Sequence, residues 1–199
     1  MTWQVPALVA LIGYLLGSIP FGLVLTRLSG AGDLRTIGSG SIGATNVLRT
    51  GSKKLAAATL LLDGGKGALA VWIGSLLLPD HGPALGGVCA FLGHCYPVWL
   101  RFKGGKGVAT LLGAGLVLNW MVCVVFAIVW LAAAGISRIS SVGGMTAALS
   151  TPIAAWLLGR PDLAPAFACM AAVVLWRHRP NIARLLRGEE PRIGSSRAA

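Results

Sequence analysis

Residues 107–136 read GVATLLGAGLVLNWMVCVVFAIVWLAAAGI, and the number of helices assigned to them decides the topology of the whole chain. A hydrocarbon core takes about 20 helical residues, so the run is long for one span and short for two, with Leu118, Asn119 and Trp120 as the place to break it. Read as one span, it leaves the tail from Arg177 outside, with Arg179, Arg184, Arg187, Arg192 and Arg197 on the outer side. Read as a hairpin, it puts every Lys and Arg on the cytoplasmic side except Arg160, outside, and Lys66, within a span. The positive-inside bias selects the hairpin.

Working outward, apolar runs occur at 3–26, 55–78, 84–100, 142–158 and 163–176, separated by Pro, Gly and basic residues. The first lacks a basic n-region and a small-residue cleavage site, so it reads as a retained helix rather than a signal peptide. The expected fold is an all-α polytopic membrane protein of seven transmembrane helices, N-terminus outside and C-terminus cytoplasmic. A five-span arrangement with a re-entrant 107–136 keeps the same parity. Residues 1–199 read as one domain, with a short cytoplasmic tail from about 178 that has Ile182, Leu185 and Leu186 at helical spacing.

Composition agrees with a lipid environment. Of 199 residues 55% are hydrophobic and 12% charged, and the mean hydropathy is +0.76, where soluble domains carry roughly 25% charged residues. The 28 glycines sit among Leu, Val, Ala and Ile, which points to close helix packing. A net charge of +11 would suit nucleic acid, but the cations lie between apolar runs and no soluble domain carries them, so no nucleic-acid partner is expected. The bilayer and an anionic small substrate are the better partners. Cys89, Cys95, Cys123 and Cys169 fall in apolar stretches without metal-ligand spacing and read as buried fillers; neither metal nor cofactor is expected.

Three cytoplasmic segments carry residues suited to holding anions. Residues 34–54 combine Gly38, Gly40 and Gly43 with the hydroxyls Thr36, Ser39, Ser41 and Thr45, the cations Arg35, Arg49, Lys53 and Lys54, and Asn46. Glycines let backbone N–H groups approach an oxyanion, and a planar Arg fork completes the cage. A flexible basic loop lying on anionic lipid is an equal reading of these residues alone. In RFKGGKGVAT, 101–110, Gly104, Gly105, Lys106 and Gly107 open an apolar run, where a helix start offers free N–H groups and the positive dipole end. Walker A spacing is absent: Leu100 stands where its first glycine belongs, and Gly107 follows Lys106 in place of Ser or Thr. In RHRPNIARLLRGEE, 177–190, His178 and Asn181 are spaced to share a helical face, and His178 is a candidate acid, base or phosphate donor. Within the second span, Asp63 and Lys66 are spaced to neutralise each other; the pair is functional by default, though an ion pair that merely orients a helix is nearly as good a reading. Lys66 can alternatively face the cytoplasmic cavity.

Together these motifs resemble the acyl-phosphate:glycerol-3-phosphate acyltransferases, the PlsY family of bacterial integral membrane enzymes. The resemblance covers almost the whole chain: GSIPFG at 17–22, GSGSIGATNVLR at 38–49, LLDGGKG at 61–67, GHCYPVWLRFKGGKGVAT at 93–110 and the 177–190 segment. It implies acyl transfer from acyl phosphate to the 1-hydroxyl of sn-glycerol 3-phosphate, giving lysophosphatidic acid and inorganic phosphate, the first step of phospholipid synthesis. It implies catalytic Ser39, Arg49, His178 and Asn181, substrate binding through Arg35, Gly40, Asn46, Lys66, Gly104, Gly105, Lys106 and Gly107, and structural Asp63 and Glu190. It also implies a monomer in the inner, plasma membrane with its active site on the cytoplasmic face, supplied by an enzyme that forms acyl phosphate. Ser41 departs from the family, whose members carry Asn there. The rival reading is a transporter of small phosphate esters or anions; it expects polar residues on both faces and an inverted repeat, neither of which the sequence shows.

Overall fold

A computed structural model of the protein describes residues 3–194, and among these all regular structure is helical. Arg197, counted above with the basic tail, lies outside the described residues. The chain divides into two compact units, Met1–Trp120 and Met121–Ala199.

The first unit holds α1 (Gln4–Gly17), α2 (Phe21–Leu28), α3 (Ala44–Val47), α4 (Lys53–Leu77), α5 (Gly82–Cys95) and α6 (Val108–Leu118). The expected single helix over 3–26 is two helices. Pro20 has no N–H to donate and restricts Ile19 before it, so the ladder ends at Ser18 and restarts at Phe21. Stretch 4–28 remains long and apolar enough to cross a membrane, as do 53–77 and, in the second unit, 120–137.

The glycines act as the composition suggests. A Cβ on Gly17 of α1 would collide with the backbone of Ala90 in α5, and one on Gly113 of α6 would collide with the backbone of Gly64 in α4. Neither site admits any larger residue, so each fixes where two helix axes approach. Helix association in lipid relies on such close packing, because the hydrophobic effect offers nothing there.

The run 107–136 breaks at Asn119, whose extended backbone (φ −162°, ψ 106°) separates α6 from α7 (Trp120–Ser137). With 11 residues α6 is about 16 Å long. The second unit continues with α8 (Ser140–Leu157), α9 (Ala164–Arg177) and α10 (Arg179–Leu186). The expected tail helix is α10, and Arg179 stacks on the Trp176 ring at 4.5 Å, an arrangement suited to a bilayer boundary. The four cysteines form no disulfide, but burial is not uniform: Cys95 is buried, Cys89 and Cys123 are half-buried and Cys169 is exposed. Cys169 sits on an outward position of α9, where an apolar side chain can face lipid as well as protein.

Candidate active site

The first motif is a loop organised around one side chain. Asn46, on the single turn of α3, is 2% exposed. Its Nδ2 donates to the carbonyls of Leu34, Ile37 and Ser41 at 3.0, 2.9 and 2.8 Å. Its Oδ1 accepts from the N–H and Oγ of Ser39 at 3.1 and 3.4 Å. An amide offers two donor hydrogens and two lone pairs, so Asn46, expected among the substrate-binding residues, has its side chain fully committed to shaping the loop. Ser39 and Arg49 are exposed on that loop. Gly38 takes a positive φ of 54° directly beneath the Arg49 side chain, so a Cβ there would strike the guanidinium and Asn46 Oδ1. The turn therefore holds a hydroxyl and a guanidinium side by side at the surface. Arg35 points elsewhere: its guanidinium forks onto Asp33 at 3.0 and 2.5 Å. The Arg35 hydrogen bonds, with help from Arg27, hold the Asp33 carboxyl well below the usual carboxylate range.

The second motif folds back onto the end of α5. The N–H of Gly104 donates to Cys95 O at 3.2 Å and that of Gly105 to His94 O at 3.0 Å. A Cβ at Gly104 would meet the His94 and Cys95 carbonyls and the Pro97 ring. Gly107, with φ 83°, lies against the Phe91 ring and caps the start of α6. Both glycine requirements come from close approach, the second also from backbone conformation. Lys106 is half-buried between them at a helix N-terminus.

Below this turn lies a buried charged cluster. Asp63 Oδ1 is 2.6 Å from Lys66 Nζ and 3.5 Å from His94 Nδ1, and all three residues are at most 4% exposed. The Asp63–Lys66 pairing is the one the spacing suggested; His94 is a third member, brought in from another helix, that no local spacing indicates. Lys66 Nζ also donates to Ile19 O at 2.7 Å and lies 5.6 Å from the Phe21 ring, so it occupies the break between α1 and α2. Trp99 Nε1 donates to Ser18 O at the same break, at 2.6 Å.

The third motif lies in the second unit. His178 caps α9, with Nδ1 2.8 Å from Val174 O. A carbonyl only accepts, so Nδ1 carries the hydrogen, and Nε2 is the ring nitrogen that can take up a proton. Asn181 Nδ2 donates to Glu190 Oε1 at 2.5 Å, Ser141 Oγ to the same oxygen at 2.7 Å, and Arg184 Nε to Oε2 at 2.7 Å. Burial pushes the Glu190 carboxyl up, but these three donors outweigh it and hold the group below the ordinary glutamate range. Glu190 thus ties the start of α8 to α10 and orients Asn181. Ser141 was not among the expected residues, and its separation of 49 positions from Glu190 left no local signal.

An apolar helical chain with an exposed Ser–Arg turn and a largely buried glycine–lysine turn at helix ends is an integral membrane protein equipped to hold anionic groups. Residues 7–188 match the family profile described as glycerol-3-phosphate acyltransferase. A glycerol-3-phosphate acyltransferase of Erythrobacter litoralis is 56% identical over 96% of both chains, and one of Maricaulis maris is 55% identical over 94% of this chain and 86% of its own. The crystal structure of PlsY, an integral membrane glycerol 3-phosphate acyltransferase, in its glycerol 3-phosphate form superposes with a TM-score of 0.90 at 38% identity, over 95% of this chain and 96% of that one. The lysophosphatidic acid form gives 0.88 at 36% identity, over 95% of each. The chain belongs to the glycerol-3-phosphate acyltransferase family.

Proposed function

We propose that the protein transfers an acyl group from acyl phosphate to the 1-hydroxyl of sn-glycerol 3-phosphate, giving lysophosphatidic acid and inorganic phosphate. The observation that carries acyl transfer to glycerol 3-phosphate is the likeness along nearly the whole chain to a structure in its glycerol 3-phosphate form and to another in its lysophosphatidic acid form. Use of acyl phosphate as donor is supported by the residues: the Ser39–Arg49 turn and Lys106 at the start of α6 give two cationic places suited to two phosphates.

In the reaction, the hydroxyl oxygen attacks the acyl carbonyl carbon, the bond from that carbon to the phosphate oxygen breaks, and phosphate leaves with its electron pair. A mixed anhydride has a good leaving group, so no covalent enzyme intermediate is needed; the task is to hold two anions and stabilise charge on the carbonyl and phosphate oxygens. In this reading Ser39, Arg49, Lys106 and the N–H group of Gly107 hold phosphates, with Arg35 assisting once released from Asp33; Gly40, Gly104 and Gly105, whose N–H groups bond the carbonyls of Ile37, Cys95 and His94, serve binding by letting the turns close around the substrate. His178 Nε2 accepts the hydroxyl proton and Asn181 orients the acceptor. Asn46, Asp63 and Glu190 are supports, and Lys66 acts on substrate through the α1–α2 break.

The family match runs across both compact units, which supports treating 1–199 as one acyltransferase domain. In our reading the chain has seven spans, with the N-terminus outside and the tail and site on the cytoplasmic face of the plasma membrane; the positive-inside count and the helix break at Asn119 support it. A monomer served by a separate acyl-phosphate-forming enzyme completes the reading.

The test is phosphate release by detergent-purified protein given palmitoyl phosphate, with and without sn-glycerol 3-phosphate, with lysophosphatidic acid followed in parallel. Acceptor-dependent release equal to product is the expected result. Folded protein without turnover would transfer the case to liposome flux assays and a transporter.

A further inference from the structure

His94 has no place in the reaction as described, yet it is 3% exposed and lies directly under the glycine–lysine turn. A Cβ on Gly105 would land on the edge of its ring, against Nε2, Cε1 and Cδ2. The opposite edge faces Asp63, with Nδ1 3.5 Å from Oδ1. A carboxylate beside Nδ1 favours the hydrogen there, and the ring is then oriented from one side by Asp63 and capped on the other by the Gly105 backbone. The His94 carbonyl is used as well, receiving the Gly105 N–H at 3.0 Å. The same Asp63 oxygen binds Lys66, whose ammonium holds Ile19 O at the α1–α2 break. From that break α2 runs to Gly22, where a Cβ would strike the Ile42 carbonyl of the Ser39 loop. One buried carboxylate therefore stands between the supports of both phosphate-type turns.

We propose that His94, oriented by Asp63, is a positioning residue for acyl transfer: its imidazole is the floor on which the Gly104–Gly107 turn is set, fixing Lys106 and the N-terminal end of α6 that receive the donor's phosphate. This rests on the assignment of that turn to acyl phosphate made above. It also gives Gly105 a specific reason to be glycine, since the space a methyl group needs is taken by the ring.

The test is a cycle of Gly105→Ala, His94→Ala and the double variant in the full chain, with KM for palmitoyl phosphate and for sn-glycerol 3-phosphate, kcat and Tm measured for each. Displacement of a positioning group by about 1 Å costs up to roughly a hundredfold. Each single variant is expected to raise the palmitoyl-phosphate KM or lower kcat by roughly tenfold to a hundredfold, with a much smaller change in the glycerol 3-phosphate KM. The double variant should exceed Gly105→Ala in activity and in Tm, because the vacated ring space accepts the methyl group. A purely structural histidine would lower Tm without splitting the two KM values. Should His94→Ala fail to purify as folded protein, His94→Asn, which keeps a donor toward Asp63 but removes the far edge of the ring, takes its place in the cycle. A double variant no better than Gly105→Ala in either measurement, or equal shifts in both KM values, would overturn the proposal. Wild-type protein inactive on palmitoyl phosphate would instead remove the donor assignment, and the Tm cycle alone would then decide whether the ring supports the turn.

Discussion

Asn46 Oδ1 accepts both the N–H and the hydroxyl of Ser39, at 3.1 and 3.4 Å, so the residue that presents the hydroxyl is held by one that makes no display of its own. The two should separate under mutation. Asn46→Ala leaves three backbone carbonyls short of a donor, and each buried unsatisfied group costs about 1 to 3 kcal/mol. That variant is expected to lose both Tm and activity, whereas Ser39→Ala, at an exposed position, should lose activity with Tm unchanged. Equal Tm losses in the two would contradict the division of labour.

Glu190 sets an acid limit on the second unit. Its carboxyl is lowered below the ordinary value of 4.5 by Asn181, Ser141 and Arg184 despite burial. A lowered folded-state value means that the stabilisation is complete above the unfolded value and is lost as pH falls through the folded one. Tm in detergent is therefore expected to drop more steeply below about pH 4.5 in wild type than in Glu190→Gln. At neutral pH Glu190→Ala should cost about 3 kcal/mol, the range for breaking a largely buried charge network by removing one partner. Parallel Tm profiles for wild type and Glu190→Gln would show that the network contributes nothing.

The pair Asp63 and Lys66 is more costly to break than to remove. Asp63→Ala strands an ammonium at membrane depth, with an expected loss of about 3 to 5 kcal/mol. Asp63→Leu combined with Lys66→Met removes both charges, and its Tm should lie closer to wild type than that of either single change. A double variant as unstable as the sum of its parts would mean that the two side chains do not interact across the 2.6 Å separating them.

What could be read in advance depended on the range of the interaction. The Asp63–Lys66 pair and the tail helix rest on local spacing and the helix break at Asn119 on the distribution of charge along the chain, and the structure has the pair, the tail helix and the break. The break at Pro20 was visible in GSIPFG, but continuous hydropathy across 3–26 masked it, since hydropathy is blind to a missing backbone donor. His94 reaches Asp63, and Ser141 reaches Glu190, only because separate helices pack together; periodicity within one helix carries no trace of that. The loop-shaping part of Asn46 was hidden because the amides that shape a loop and those that bind an anion are chemically the same, and its five side-chain hydrogen bonds to Ser39, Leu34, Ile37 and Ser41 exist only in the folded loop.

The proton's destination is the last matter that the geometry brings within reach of experiment. With Nδ1 bound to the Val174 carbonyl at 2.8 Å, His178 presents Nε2 as an acceptor, and general-base assistance contributes roughly a hundredfold to ten-thousandfold. The competing acceptor is the phosphate of the substrate, whose second pKa is about 6. His178→Gln keeps a polar side chain of similar length but cannot take a proton. If the imidazole is the base, kcat falls by roughly a hundredfold or more and the acid limb of the rate against pH disappears in the variant. Substituting a phosphonate analogue of glycerol 3-phosphate then leaves the wild-type limb in place, because that limb belongs to the enzyme. A limb that persists in His178→Gln and moves with the phosphonate would assign the proton to the substrate and reduce His178 to a hydrogen-bonding partner.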